Sequence, residues 1–325
     1  MSPTAPEALS SVVDIMRRHG VKCTPVEFHA AVNVAFHEYE SEVYDQEHAD
    51  MWNSLPRQFA LLADEYFRSN PDSSKKFRLL DIGCGTGLAT DCILRTPFQD
   101  RISSVTLLDT SPSMLQQACR RASTWKIPFD TRQGLLDELP AGDQYDLIVT
   151  CSVLHHVPDL RGFLQAVRQH QSDRGVFLHL QDPNADYSND LELRKRMSEV
   201  AAEDHAPNLA QRIFGRLYRE LTGKQRDHYL AKTNKALLQQ GIIQTSLSPT
   251  EIYSITDIHV HNGEGISISR MKTWMPEYDC LAQRSYGFFG TLWSNLPEQL
   301  KGIEENLVSQ NALNGFHVGA IWLLR

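Results

Sequence analysis

The chain has 325 residues, with 32 Lys plus Arg against 40 Asp plus Glu and a formal net charge of −8. That balance argues against a broad positive field for nucleic acid. Its 41% hydrophobic and 22% charged residues describe an ordinary globular chain, long enough for one enlarged domain or two small ones, and exclude wholesale disorder.

No apolar run approaches the roughly 18 residues of a membrane helix, and the opening MSPTAPEALSS has neither a basic start nor a hydrophobic signal core. The expectation is a cytoplasmic protein. Six cysteines (Cys23, Cys84, Cys92, Cys119, Cys151 and Cys280) lie scattered without a CxxC pair, which suits reduced thiols better than a disulfide frame or a zinc site.

In chain order, EALSSVVDIMRRH (7–19) and VEFHAAVNVAFHEYESE (26–42) carry apolar residues at three and four spacing and predict helices. Strand-like runs then alternate with helical ones: 78–83, 105–110, 129–134, 145–152 and 175–182 are the predicted strands. The alternation implies a doubly wound, mostly parallel α/β sheet with right-handed crossovers. After Asp182 about eighty residues read as helical. Within them, SPTE at 248–251 is a capping box, with Ser248 as cap, Pro249 first in the helix and Glu251 reaching back. A polar loop DIHVHNGEG, a helix in ISISRMKTWM, a strand in EYDCLAQRSYGFF, a helix in LPEQLKGIEENLVSQ and a last strand GFHVGAIWLLR complete the chain.

The stretch LLDIGCGTGLAT at 79–90 carries the chemistry. A strand ending at Asp81 and passing through Gly83, Gly85 and Gly87 can turn tightly and let bare main chain approach a ligand. The helix predicted from Leu88 adds free N–H groups suited to an anion. A dinucleotide-binding turn needs GxGxxG, but here the third glycine comes one residue early, and no GK[ST] follows for a nucleotide triphosphate.

These residues resemble the first motif of class I S-adenosylmethionine-dependent methyltransferases, [VL]LDxGCGTG. LLDT ending the second strand, DTSPSML, QGLLDELP (133–140) and DLIVTCSVLHHVPD (146–159) resemble that family's later segments in order, so the resemblance covers about residues 78–182. It implies a seven-stranded sheet of that type and S-adenosylmethionine as cofactor. It also implies a division into an N-terminal helical segment or lid (1–70), a cofactor-binding core (71–183), a helical substrate cap (184–262) and the C-terminal part of the sheet (263–325).

Carried over by position, the resemblance implies cofactor-binding roles for Tyr44, Asp81, Gly83, Cys84, Gly85, Gly87, Asp109, Thr110, Met114, Gly134, Leu135, Cys151 and Ser152. Asp109 is expected on the ribose hydroxyls, since a carboxylate accepts both bonds, and Met114 on the adenine ring. Leu135 replaces the acidic residue that many relatives carry there, which leaves the adenine amino group to a main-chain carbonyl or Asp137. Phe36, Tyr39 and Tyr44 resemble the N-terminal helix that such enzymes fold over the cofactor.

The implied activity is methyl transfer to an O, N or C atom of a small-molecule metabolite in secondary or specialised metabolism. A protein or RNA methyltransferase and a non-catalytic binding module are the alternatives. Tyr187, Phe214, Tyr218, His228, Tyr229 and Tyr253 are expected in the acceptor chamber. His156 and His259 are the candidate bases. His259 and His261 have the spacing of a metal pair, but nothing in the sequence completes a site, so no metal is expected. Partners are limited to the small-molecule acceptor, without nucleic acid or membrane, and a homodimer is left open.

Overall fold

The computed structural model describes residues 7–71, 74–203, 228–261 and 265–325. Seven strands form one sheet in the order β3-β2-β1-β4-β5-β7-β6. They are β1 (Phe77–Ile82), β2 (Ile102–Asp109), β3 (Phe129–Gln133), β4 (Tyr145–Cys151), β5 (Gln171–Pro183), β6 (Tyr278–Tyr286) and β7 (His317–Leu324). The first five pair in parallel, whereas β7 lies antiparallel to both β5 and β6. The order reverses between β1 and β4, so the crevice at their carboxyl ends is the topological switch point where open α/β sheets hold ligands.

Helices α1 (Ser10–Arg18), α2 (Pro25–Glu40), α3 (Tyr44–Glu47) and α4 (Ala49–Ser69) precede the sheet. Helices α5 (Leu88–Ile93), α6 (Pro112–Ala122) and α7 (Leu160–Gln169) are the crossovers. Then come α8 (Leu191–Glu203), α9 (228–239), α10 (Pro249–Thr256), α11 (Ile258–His261), α12 (Ile268–Trp274) and α13 (Glu298–Ser309). One face of the sheet packs Leu79, Leu107, Val149 and Leu178 against Phe59 and Leu62 of α4 and Ala118 of α6. The other packs Leu80, Ile148 and Phe177 against Leu164 of α7 and Met271 of α12.

A third core is mostly helical. It joins Val12 and Ile15 of α1, Phe28, Val32 and Phe36 of α2, Leu237 of α9 and Ile252 and Ile255 of α10. The N-terminal helices and the end of the inserted segment thus bury their apolar stripes against each other. Phe36, expected over the cofactor, is only 4% exposed and packs edge-on to Tyr229 and Tyr253. These aromatics belong to the helical core because its stripe consumes them.

The predicted capping box is present: Ser248 Oγ accepts the Glu251 N–H at 3.2 Å and Glu251 Oε2 accepts the Ser248 N–H at 2.8 Å. A second box at Thr24 and Glu27 starts α2. The stretch read as an open polar loop after Thr256 contains instead the helical turn α11, with Ile258 and His259 buried. Ile258 seats in the helical core, which outweighs the polar composition around it. Phe214 and Tyr218 lie outside the described residues, as does the His261 side chain.

Ser248→Ala removes the cap that starts α10. Chemical denaturation is expected to show a loss of about 1 kcal/mol, and an unchanged midpoint would contradict that role for the box.

Candidate cofactor and acceptor site

Beyond β1 the main chain turns left-handed three times, with φ of +61° at Gly83, +52° at Gly85 and +86° at Gly87, a region that side chains rarely adopt. A Cβ at Gly83 would lie 2.6 Å from Val153 Cγ2, whereas one at Gly85 would meet nothing within 4 Å. Gly83 is therefore forced by packing against the exit of β4, and Gly85 borders open space. The helix α5 that follows has six residues, so its dipole is small and the loop's own N–H groups are the main donors.

Asp81 anchors this turn. It is fully buried, and its Oδ2 accepts the Thr90 N–H at 3.2 Å and the Thr90 hydroxyl at 2.7 Å. Its Oδ1 is buried without a hydrogen-bond partner. Burial above all, with the Asp109 charge adding to it and the Thr90 bonds opposing, lifts the Asp81 carboxyl to about 7. Asp109, at the end of β2, is spanned by main chain: Oδ2 accepts from Gly85 N–H at 2.8 Å and Oδ1 from Ser111 N–H at 2.9 Å. Burial raises its carboxyl too. Each Asp109 oxygen keeps a lone pair beyond these bonds.

The other residues expected around a cofactor ring the same edge. Cys84 is buried and its N–H bonds Leu108 O at 3.0 Å. Thr110 follows Asp109, and Met114 is buried in the first turn of α6. The Gly134 N–H bonds Asp109 O at 3.0 Å, with φ +137°. Leu135 is 52% exposed. Cys151 ends β4, and Ser152 takes a left-handed φ of +59° while its N–H bonds Leu180 O at 2.9 Å. A non-glycine residue in that region stores strain of about 1 to 3 kcal/mol, a pattern common at sites.

Helices α2 and α3 are tied across this edge. Glu38 accepts the Ser111 hydroxyl at 2.7 Å and the Ser113 N–H at 3.1 Å. Asp45 accepts the Thr86 hydroxyl and an Arg121 N–H, each at 2.7 Å. Tyr44 lies between these ties. Its burial, followed by the neighbouring Glu40, Cys151, Asp109 and Asp45, drives the phenol well above its ordinary value, so it stays neutral. Burial alone would raise the Glu40 carboxyl, but hydrogen bonds from His37 Nδ1 at 3.0 Å and His48 Nε2 at 3.3 Å hold it at about 2.

A histidine cluster lies beside the β4 exit. His155 Nδ1 donates to the fully buried Asp182 at 2.8 Å. His156 Nδ1 lies 2.8 Å from Thr256 O and 3.2 Å from Asp257 Oδ1. Burial, then the nearby His155 and His37, push His156 well below its ordinary value. His259 Nε2 donates to Val157 O at 2.8 Å.

Both histidines singled out from the sequence therefore reach the same corner, one from the sheet and one from the helical layer. His37, Glu38, Glu40, Asp45, Asp182 and Asp257 had no local signal. Glu38 meets Ser113 across 75 positions and Asp257 meets His156 across about a hundred.

Among known proteins, residues 80–177 match the family described as "Methyltransferase domain". A ubiquinone biosynthesis O-methyltransferase of Rickettsia canadensis is 27% identical over 112 residues, 34% of this chain and 45% of that protein. One from Azorhizobium caulinodans is 30% identical over 105 residues, 32% of this chain and 40% of its own. The chain thus spans less than half the length of these relatives. A solved plantazolicin methyltransferase, in complex with a triazolic desmethylPZN analog and SAH, aligns over 92% of this chain and 97% of its own at 12% identity and a TM-score of 0.47. The matched segment begins at Leu80, inside β1, and ends at Phe177, in β5, so the glycine turn, Asp109 and the β4 exit all lie within it. Residues 80–177 thus match a methyltransferase domain, set in a seven-stranded sheet of the class I S-adenosylmethionine-dependent methyltransferase type.

Proposed function

We propose that the protein transfers the methyl group of S-adenosylmethionine to a small-molecule acceptor held between the sheet edge and the helical layer. The observation that carries this reading is the Asp81 turn. A buried carboxylate oxygen without a partner lies beneath three left-handed glycines, one of which faces open space. That arrangement suits a ligand with a positive charge and a main-chain-like tail. Asp109, at the next strand end, suits a vicinal diol. The residues thus fit the cofactor.

When bound, S-adenosylmethionine supplies an electrophilic methyl group on a sulfonium. The chain's part is to hold the nucleophile in line and keep water out. Asp81, Gly83, Cys84, Gly85 and Gly87 would hold the methionine end, and Asp109 and Thr110 the ribose. Met114, Gly134 and Leu135 would border the adenine, and Tyr44, Cys151 and Ser152 would close the reacting end. The ties from Glu38 and Asp45 support α2 and α3 as the lid. The relatives named as O-methyltransferases favour an oxygen acceptor. His156, at the exit of β4, is the proton acceptor we favour, since Asp257 lies 3.2 Å from its Nδ1.

Calorimetry with S-adenosylmethionine and with a dinucleotide tests this directly, and binding of the dinucleotide alone would contradict it. Asp109→Ala is expected to weaken S-adenosylmethionine binding by about 1 to 3 kcal/mol, and unchanged affinity would remove Asp109 from the ribose.

A second prediction concerns pH. A cationic ligand favours the ionised form of Asp81, whose carboxyl sits at about 7 in the free protein, so binding expels a proton. Affinity should fall as pH drops below about 7, by up to about tenfold per unit. Proton release should show in calorimetry as a dependence on the buffer's ionisation heat. Asp81→Asn should flatten the profile, and pH-independent affinity in the wild type would contradict the assignment.

A further inference from the structure

His156 stands where three parts of the molecule meet. Its main chain leaves β4, the ring of His37 from α2 meets it edge-on with centroids 5.2 Å apart, and α10 presents the Thr256 carbonyl and the Asp257 carboxylate to its Nδ1. The charged and titratable groups around it are thus His37 on the lid, His155 on its own segment with ring centroids 4.0 Å away, and Asp257 on the helical layer. His29 of α2 also disfavours protonation of this ring.

A carbonyl and an ionised carboxylate are both acceptors only, so a ring nitrogen 2.8 Å from one and 3.2 Å from the other must carry the proton. The Nε2 lone pair is then the ring's basic site. His155 differs in that its Nε2 faces the same Asp257 oxygen at 3.8 Å, while its Nδ1–H is held by Asp182.

Resting on the methyl-transfer reading above, we propose that Asp257 is the positioning residue for His156. With the Thr256 carbonyl it fixes the Nδ1–H tautomer, and its charge stabilises the imidazolium formed when Nε2 accepts the acceptor's proton. In that step the acceptor's X–H bond breaks and its proton goes to Nε2. The electron pair on X forms the bond to the methyl carbon, and the carbon–sulfur pair leaves with sulfur as S-adenosylhomocysteine.

His155, His156 and Asp257 also offer ligand atoms within 4.8 Å of one another, the donor set of an open two-histidine, one-carboxylate metal site. The Thr256 carbonyl decides against His156 Nδ1 as one of those ligand atoms. A metal on the His156 nitrogen nearest Asp257 would need a lone pair where that carbonyl requires a proton.

The test uses the full chain bound to S-adenosylhomocysteine and labelled with ¹⁵N-histidine. A long-range ¹H–¹⁵N spectrum, with His156 assigned through His156→Gln, should show a protonated Nδ1 and a bare Nε2. With an acceptor found by screening metabolites for S-adenosylhomocysteine release, Asp257→Asn should lower kcat by about tenfold to a hundredfold. It should leave the Kd for S-adenosylmethionine within about twofold, and Asp257→Glu should restore part of the rate. Three results would each overturn the proposal: a His156 proton on Nε2, full turnover in Asp257→Asn, or stoichiometric Zn²⁺ or Mn²⁺ bound to the wild type and lost in His155→Ala. Failure to bind S-adenosylmethionine at all would instead defeat the methyl-transfer reading, whatever the tautomer.

Discussion

The carboxyl edge of the sheet is organised by one buried acid. Asp81 cannot reach water, and it meets that constraint with a single residue of the next helix, using the Thr90 N–H and hydroxyl for one oxygen and leaving the other without a partner. The bond back to Thr90 sets how far the chain travels before α5 begins. Three left-handed glycines supply the backbone path between Asp81 and Thr90. Because Asp109 takes the Gly85 N–H, the second strand is tied to the same turn. An unshared buried acceptor is costly, and its survival beneath the turn is the physical reason to look for a cationic ligand there.

The helical layer gives this edge a roof. It is assembled from both sides of the Rossmann-like core, the N-terminal helices and the later insertion sharing one apolar stripe. Its polar edges make the contacts with the sheet. Glu38 and Asp45 grip the loops after β2 and β1, while Thr256, Asp257 and His259 grip the exit of β4. The sheet edge and the helical layer are therefore linked, among the described residues, by short charged or polar bonds. Bonds of this kind can be released and remade without unfolding either core.

Much of the core was legible because its signals are local. Alternating apolar runs mark the parallel strands, the glycine spacing after Asp81 separates this turn from a dinucleotide or triphosphate loop, and the Ser248 box marks a helix start to the residue. The roof was less legible. Phe36 reads as a residue over the cofactor and Tyr229 as a chamber aromatic, but each serves the helical core, a choice that helical periodicity alone cannot make. Asp257 and the buried Asp182 carried no sequence signal, because their partners His156 and His155 come from strand exits far away in the chain. The left-handed Ser152 was likewise hidden, since serine gives no warning of such a backbone.

The most direct measurement is a crystal structure of the full chain with S-adenosylhomocysteine. The account predicts the ribose hydroxyls on Asp109, and the amino-acid end against Gly83 to Gly87 on the side of the unpaired Asp81 oxygen, under Tyr44. The nucleoside bound elsewhere, or this crevice filled by the chain's own side chains, would contradict it.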